Sequence, residues 1–367
     1  MKILHFTWDT PIPGLGGSTH ELSIARAFQK LGNEIRIVCE WNNEESVKDV
    51  LDGIEVRRVY WRISSKNWLN MLVLFLKSVT NSVYQINNFS PDIVYERYRI
   101  FGGVGAVIGK LLGKKTILEV NDPTVDAPYI EKRISFTMMI LASIWEYCVF
   151  KFADKIITHD KIMTKRASPK KVRVLTNGVD TELFNPEKLK RDNLNDKFVC
   201  LFVGTFAKWQ GVETILKAAE KLKKYKKILF VFAGGTGENS ENTRFLGRVN
   251  YNKIPQIIAD SDVCLYVPDT ENYEPMKRLG FYFSPLKLFE YMSMAKPVIV
   301  TDAGNLQKLV KNGINGFRVK TNDDEDLVKC VLKLYKSKRL TKKIGETNRD
   351  ICLEKYDWVS IAERILK

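Results

Sequence analysis

The residues best placed to do chemistry are Lys287 and Glu290, in the stretch SPLKLFEYMSMAKPVIVTD that begins at Ser284. Ser284 and Pro285 predict a helix start, with proline at the first helical position, where its missing N–H costs nothing. An anion at such a start meets free amide groups and the positive end of the helix dipole. Lys287 lies in the first turn. Glu290, one turn on, can accept hydrogen bonds from ribose hydroxyls. The pattern suits a phosphorylated nucleoside, and the competing reading of Glu290 is a solvated carboxylate on an amphipathic helix.

A second candidate is GLGGSTH (14–20), where Gly16 and Gly17 would let backbone approach a ligand closely; alternatively the segment is a flexible turn. His20, just beyond it, either touches that site or sits on the helix surface. YERYRIFGG (95–103) and ILEVNDP (117–123) each end a strand and offer Arg97, Glu119, Asn121 and Asp122 at one rim. Their plainer role would be salt bridges and strand-end caps. His5, His20 and His159 have no spacing that makes a zinc site, and no metal is expected.

These residues need elements to position them. Strands KILHFT (2–7), EIRIVCE (34–40), IEVRRVY (54–60), DIVYERY (92–98), KTILEV (115–120), KIITHD (155–160) and VRVLTNG (172–178) alternate with helices, among them 67–87 and one from Ser18 to Leu31. Ser18 and Glu21 stand as in a capping box. The polar, aperiodic VDTELFNPEKLKRDNLNDK marks a domain boundary. The alternation then restarts with FVCLFVG (198–204), KILFVFAG (227–234), FLGRV (245–249), DVCLYVP (262–268) and PVIVTD (297–302). Strands alternating with helices imply mainly parallel sheets, ligands gathering at the strands' carboxyl ends. The expected division is 1–178, 179–345 and a terminal helical segment 346–367.

Composition agrees with this. A chain of 367 residues exceeds one ordinary core, so two α/β domains are expected. A net charge of +15 attracts anions, whether nucleotide phosphates, acidic lipid headgroups or nucleic acid; no nucleic-acid module or aromatic-basic stacking motif is present, so nucleic acid is not an expected partner. The six scattered cysteines read as reduced core residues of a cytoplasmic protein, and MKILHFTWDTPIPG does not read as a signal peptide. Ile134 to Phe152 is nearly apolar but carries Glu146, a poor spanning helix. With the basic pairs Lys114-Lys115, Lys132-Arg133, Lys165-Arg166 and Lys170-Lys171 in the same domain, either it holds the protein peripherally against anionic membrane or it is a buried helix among scattered lysines.

Four landmarks in order, GLGGSTH, VLTNGVDTELFNP (174–186), FVGTFAKWQGVETILKA (202–218) and SPLKLFEYMSMAKPVIVTDAG with NGINGF (312–317), resemble glycosyltransferase family 4, the retaining enzymes of GT-B fold. The resemblance implies two Rossmann-like domains facing across a cleft, with the terminal helix crossing back to the first. It implies a nucleotide-sugar donor whose diphosphate meets the amides of Gly16, Gly17, Leu286 and Lys287, with Ser284 and Pro285 opening that helix. Glu290 then binds ribose, and Val249 lies at the nucleobase. Where the family often has a second glutamate, eight positions before Glu290, this chain has Tyr282; where it often has a basic pair, it has Thr205 and Gln210. Phosphate neutralisation is therefore expected of Lys208 and Lys287.

Arg97, Glu119, Asn121 and Asp122, with His20, resemble the sugar or acceptor side, Asn121 standing where many members carry histidine. Asn121, Lys208 and Glu290 are the residues expected to carry catalysis. The implied reaction is a front-face substitution in which donor phosphate takes the acceptor proton, with no cofactor, moving sugar to a glycan or lipid-linked acceptor in envelope polysaccharide synthesis. A nucleotide-sugar 2-epimerase of the same fold, or a non-catalytic nucleotide-sugar-binding protein, are the alternatives.

Overall fold

The computed structural model of the chain describes residues 1–9, 16–40, 48–59, 68–191 and 196–367, with backbone alone at 16 and 68–72. Gly14, Leu15, the expected helix start at 67 and the strand end at Tyr60 lie outside them. The chain forms two compact units, Met1–Thr176 with Trp358–Lys367, and Asn177–Asp357. Residues 346–357 thus belong to the second unit, and the return to the first begins only at Trp358.

In the first unit β1 (Lys2–Phe6), β2 (Glu34–Glu40), β3 (Lys48–Leu51), β4 (Ile54–Val59), β5 (Ile93–Arg97), β6 (Lys115–Val120), β7 (Lys155–Thr158) and β8 (Val172–Val174) form one sheet. Its order is β3-β4-β2-β1-β5-β6-β7-β8, parallel except for the β3–β4 pair. The order reverses between β1 and β5, the switch point at which open sheets collect ligands. The helices are α1 (Gly16–Lys30), α2 (Trp68–Phe89), α3 (Val104–Leu111), α4 (Asp126–Ile130) and α5 (Phe136–Phe152).

In the second unit β9 (Phe198–Val203), β10 (Ile228–Ala233), β11 (Thr243–Phe245), β12 (Val263–Tyr266), β13 (Val298–Thr301) and β14 (Gly316–Val319) run in the order β11-β10-β9-β12-β13-β14, all parallel. Every residue of β10 is buried, as expected of a strand covered on both faces. Its helices are α6 (Val212–Lys221), α7 (Ile254–Ala259), α8 (Glu274–Leu279), α9 (Leu286–Ser293), α10 (Gly304–Leu309), α11 (Asp324–Tyr335) and α12 (Lys338–Ile351). A last helix, α13 (Trp358–Leu366), belongs to the first unit and packs on α1, with the Trp358 indole edge-on to the His20 ring at 5.1 Å. No disulfide joins the six cysteines.

Three local expectations are corrected. Helix α1 begins at Gly16, so Ser18 lies inside it, and Glu21 is not the return arm of a capping box but a buried ion partner of β1 and β5. Pro285 is the cap of α9 and Leu286 its first residue. The strand expected over 245–249 is Thr243–Phe245 instead.

Glu96 on β5 illustrates how the fold uses a buried charge. One of its carboxylate oxygens accepts from the Gly103 amide and the other from the Ala106 amide, each at 2.7 Å, which caps α3 in place of its own side chains. Burial outweighs these bonds and pushes its pKa up from 4.5 to about 7. A raised carboxylate pKa stabilises the fold fully below the unfolded value, and that contribution disappears as pH climbs through the folded value. It is on the order of 3 kcal/mol for a shift of this size. Glu96→Gln should therefore flatten the fall in melting temperature between pH 5 and 8; an unchanged slope would show that Glu96 does not titrate there.

Candidate functional site

In the second unit the candidate residues converge where β9 ends. Lys287, in the first turn of α9, donates from Nζ to Gln210 Oε1 at 3.0 Å and lies over the rings of Phe202 (5.0 Å) and Tyr266 (5.4 Å). Burial among these rings draws its pKa down to about 8, with Glu290 opposing. Gly204 follows β9 at φ 149°, and a Cβ there would stand on the Lys287 ammonium. Glycine thus makes room for the cation.

Glu290, one turn along α9, is buried and accepts from the Tyr251 hydroxyl at 2.8 Å. Burial raises its pKa to about 7, against that hydrogen bond and the nearby Lys287. The entry to α9 is pinned: the Asn177 amide donates to Ser284 Oγ at 2.8 Å, and the Asn177 side chain to the Ser284 carbonyl. The first amides of α9, those of Leu286 and Lys287, have no preceding turn to bond. An anion-accepting helix start, a cation and a buried carboxylate therefore share one short element.

Other sequence candidates lie around it with different exposure. Thr205 and Lys208 are exposed on the segment after Gly204. Val249 is half-buried against the core, two residues before Tyr251. Tyr282 is buried, its ring 4.5 Å from that of Phe283. Gln210 and Tyr251 enter as partners of Lys287 and Glu290, Gln210 by accepting from the Lys287 ammonium where the resemblance implies a cation. Tyr251 had one signal, its closeness in sequence to Val249.

In the first unit, the carboxyl ends of β1 and β5 and the start of α1 hold a chain of charges. Arg97 Nη1 donates to Glu21 Oε1 at 2.7 Å, to Asp9 Oδ2 at 2.9 Å and to the Gly17 carbonyl at 3.4 Å. Glu21 also meets His5 Nε2 at 2.7 Å. His20 is buried rather than on the helix surface, 2.8 Å from Glu119, whose other oxygen accepts from the Tyr95 hydroxyl at 2.6 Å. Burial works against a charged His20, yet Glu119 and Glu21 lift its pKa above the ordinary value. His159, whose ring stands 6.4 Å from that of His20, is drawn down to about 4 by burial.

Arg97 and Glu119 are thus engaged in ion pairs. Asn121 is buried with Oδ1 unpartnered among the described residues, and Asp122 is exposed. Gly17 packs so closely on Asp9 and Arg97 that a Cβ would collide with the Asp9 carboxylate. His20, Glu21 and Glu119 offer ligand atoms within 4.8 Å of one another. A dication there would have to displace the Arg97 guanidinium from Glu21 and the Tyr95 hydroxyl from Glu119, so these donors fit a metal poorly.

Comparison with known proteins follows this division. Residues 15–183 match the family model described as Glycosyltransferase Family 4, and residues 185–351 the one described as Glycosyl transferases group 1. The chain is 24% identical over 295 residues to an uncharacterized glycosyltransferase of Methanocaldococcus jannaschii, covering 73% of this chain and 72% of that protein. Among solved structures it resembles sucrose-phosphate synthase from Thermosynechococcus elongatus, with a TM-score of 0.73 at 14% identity over 99% of this chain and 97% of that one. It also resembles Anabaena HepE in complex with UDP and glucose, with a TM-score of 0.69 at 19% identity over 100% and 98%. These similarities show a GT-B fold.

Proposed function

The chain belongs to the family of these two glycosyltransferase models, and from that premise we propose that it moves a sugar from a nucleotide-sugar donor to a glycan or lipid-linked acceptor, with retention of configuration. The observation that carries the donor half is the placing of Lys287 and Glu290 on the first turns of α9 beside Gly204. The amides of Leu286 and Lys287 and the Lys287 ammonium would stabilise the leaving diphosphate, the charge that develops as the glycosidic bond breaks. Lys208, an exposed cation in the segment that also supplies Gln210, would add to this, and Thr205 lies on the same segment.

Glu290, with Tyr251 holding one oxygen, would accept from ribose, and Val249 would border the base. Asn121 and Asp122, with His20, are the proposed contacts for sugar or acceptor; the unpartnered Asn121 Oδ1 is the strongest support among them. Donor phosphate would take the acceptor proton, so the residues' work is orientation and charge stabilisation, without metal or cofactor. An envelope polysaccharide or glycoconjugate made at the cytoplasmic face is the setting that we propose.

Thermal-shift curves with UDP, GDP, ADP and their sugar conjugates test this, because a ligand of the folded state raises the melting temperature by mass action. UDP is the first choice, since a structural neighbour was solved with it. A shift with one nucleotide is expected, and no shift with any would remove the donor reading. Gly204→Ala should weaken that nucleotide roughly ten- to a hundredfold, by pushing aside a charge-assisted contact of about 1.5–3 kcal/mol. Calorimetric titration that finds the same affinity would take Lys287 out of the site.

A further inference from the structure

Helix α5 carries apolar residues on its exposed face as well as its buried one. Ala142, Glu146, Val149 and Phe150 face inward, yet Phe136 (60% exposed), Leu141 (58%), Ile144 (57%) and Tyr147 (54%) are open, with Ile140 between them. These residues recur at three- and four-residue intervals and form one stripe on the helix. The Glu146 carboxylate, the helix's acidic charge, is turned in and held by Arg166 at 2.8 Å and Thr124 at 2.8 Å. The patch continues onto α2, where the Phe75 ring meets Trp145 at 5.6 Å and Val73 and Leu76 are exposed.

The ends of the stripe are basic. Lys132 and Arg133 are exposed in the turn before α5, Arg133 paired with Glu131 and Lys132 beside it, next to the aromatic pair Tyr129 and Phe136, whose rings lie 6.4 Å apart. Lys151 is exposed at the other end. Not every nearby cation contributes: Lys165 and Arg166 are bound to Asp126, and Lys171 donates to the Lys151 and Ala153 carbonyls. Among the described residues no helix is long and apolar enough to cross a membrane.

We infer that the exposed face of α5, with Val73 and Leu76 of α2, is a docking surface for an anionic lipid bilayer, lying in its interface plane. An apolar stripe with cations at its ends and aromatic rings at one of them meets both layers of such a surface, acyl chains and acidic headgroups. A second copy of this chain fits less well, because antiparallel pairing along α5 would set basic ends against basic ends. The surface stands apart from the donor reading, since binding to lipid needs no turnover.

The test sediments the full chain at low salt with vesicles of phosphatidylcholine alone, or with one-third phosphatidylglycerol. Roughly tenfold more protein should pellet with the anionic vesicles. The double variant Leu141→Asp, Ile144→Asp should lose that binding while melting at the wild-type temperature. Should it fold poorly, Lys132→Glu with Arg133→Glu, in the turn outside the helix, carries the same expectation. Wild-type protein that stays in the supernatant with both vesicles, or folded variants that pellet like wild type, would overturn the inference. So would light scattering that finds a dimer dissolved by the aspartates, which would give the face to a second copy.

Discussion

Glu290→Ala should lower kcat/KM for the sugar donor by roughly 10²- to 10³-fold, the equivalent of about 3–4 kcal/mol, with little change in fold stability. The magnitude follows from burial. A buried carboxylate bonded to a ligand's hydroxyls makes charge-assisted bonds in a place where water cannot replace them. The substitution would also remove the hydrogen bond that the Tyr251 hydroxyl donates to Glu290. Glu290→Gln, which keeps an acceptor atom, should retain more activity.

The pH dependence has a definite sign. Burial raises the Glu290 pKa to about 7, so in the free protein the accepting, ionised form gains population as pH rises through that value. Donor kcat/KM should climb from pH 6 through 7 in wild type and fall again as pH passes about 8, where Lys287 loses its proton, and the rising limb alone should vanish in Glu290→Gln. Initial rates of donor consumption against concentration give both numbers. A kcat/KM within threefold of wild type for the alanine variant would remove Glu290 from the donor site.

The second large effect concerns stability. Arg97→Ala should cost about 3–5 kcal/mol, because it leaves a buried carboxylate without its countercharge. Glu21 is wholly buried, and Arg97 is what chiefly opposes the burial that would otherwise raise its pKa. Without the guanidinium that pKa must rise, so the variant should recover stability as pH falls toward the unfolded carboxylate range, where wild type does not gain from this group. Urea unfolding at pH 7.5 and pH 5 measures both. A neutral pair, Arg97→Met with Glu21→Gln, should restore much of the loss; equal instability in both variants would mean that packing, rather than charge, is what Arg97 supplies.

Much of this was readable from residue order. The alternation of strands and helices is local, and so is the Ser-Pro helix start that put Lys287 and Glu290 together. Contacts between distant segments were not. Glu21 matched a capping box by its spacing from Ser18, but its partners are His5 on β1 and Arg97 on β5, and no spacing rule reaches them. Gln210 stands in sequence as the loss of a cation, yet in the fold its oxygen holds Lys287. The strands β3 and β14, KDVL and GFRV, are too short to show a period, and the sheet edge supplies the pairing that makes them strands. His20 follows the same rule, since one of the rings packed against it is that of Trp358, near the far end of the chain.

That far end has a practical consequence. The first unit is assembled from two stretches of chain, and Lys155 reaches across to the Ile365 carbonyl at 3.0 Å as α13 lies along α1. A gene truncated after Thr176 would encode an incomplete body with a bare groove, whereas the second unit is one uninterrupted stretch whose ends are tied together, Val179 to Tyr356 at 2.8 Å and Thr181 to Asp357 at 2.6 Å. The molecule therefore cannot be divided into halves by a single cut. A stand-alone first half calls for α13 to be grafted on through a short linker, or offered as a separate peptide that complements the fragment in trans.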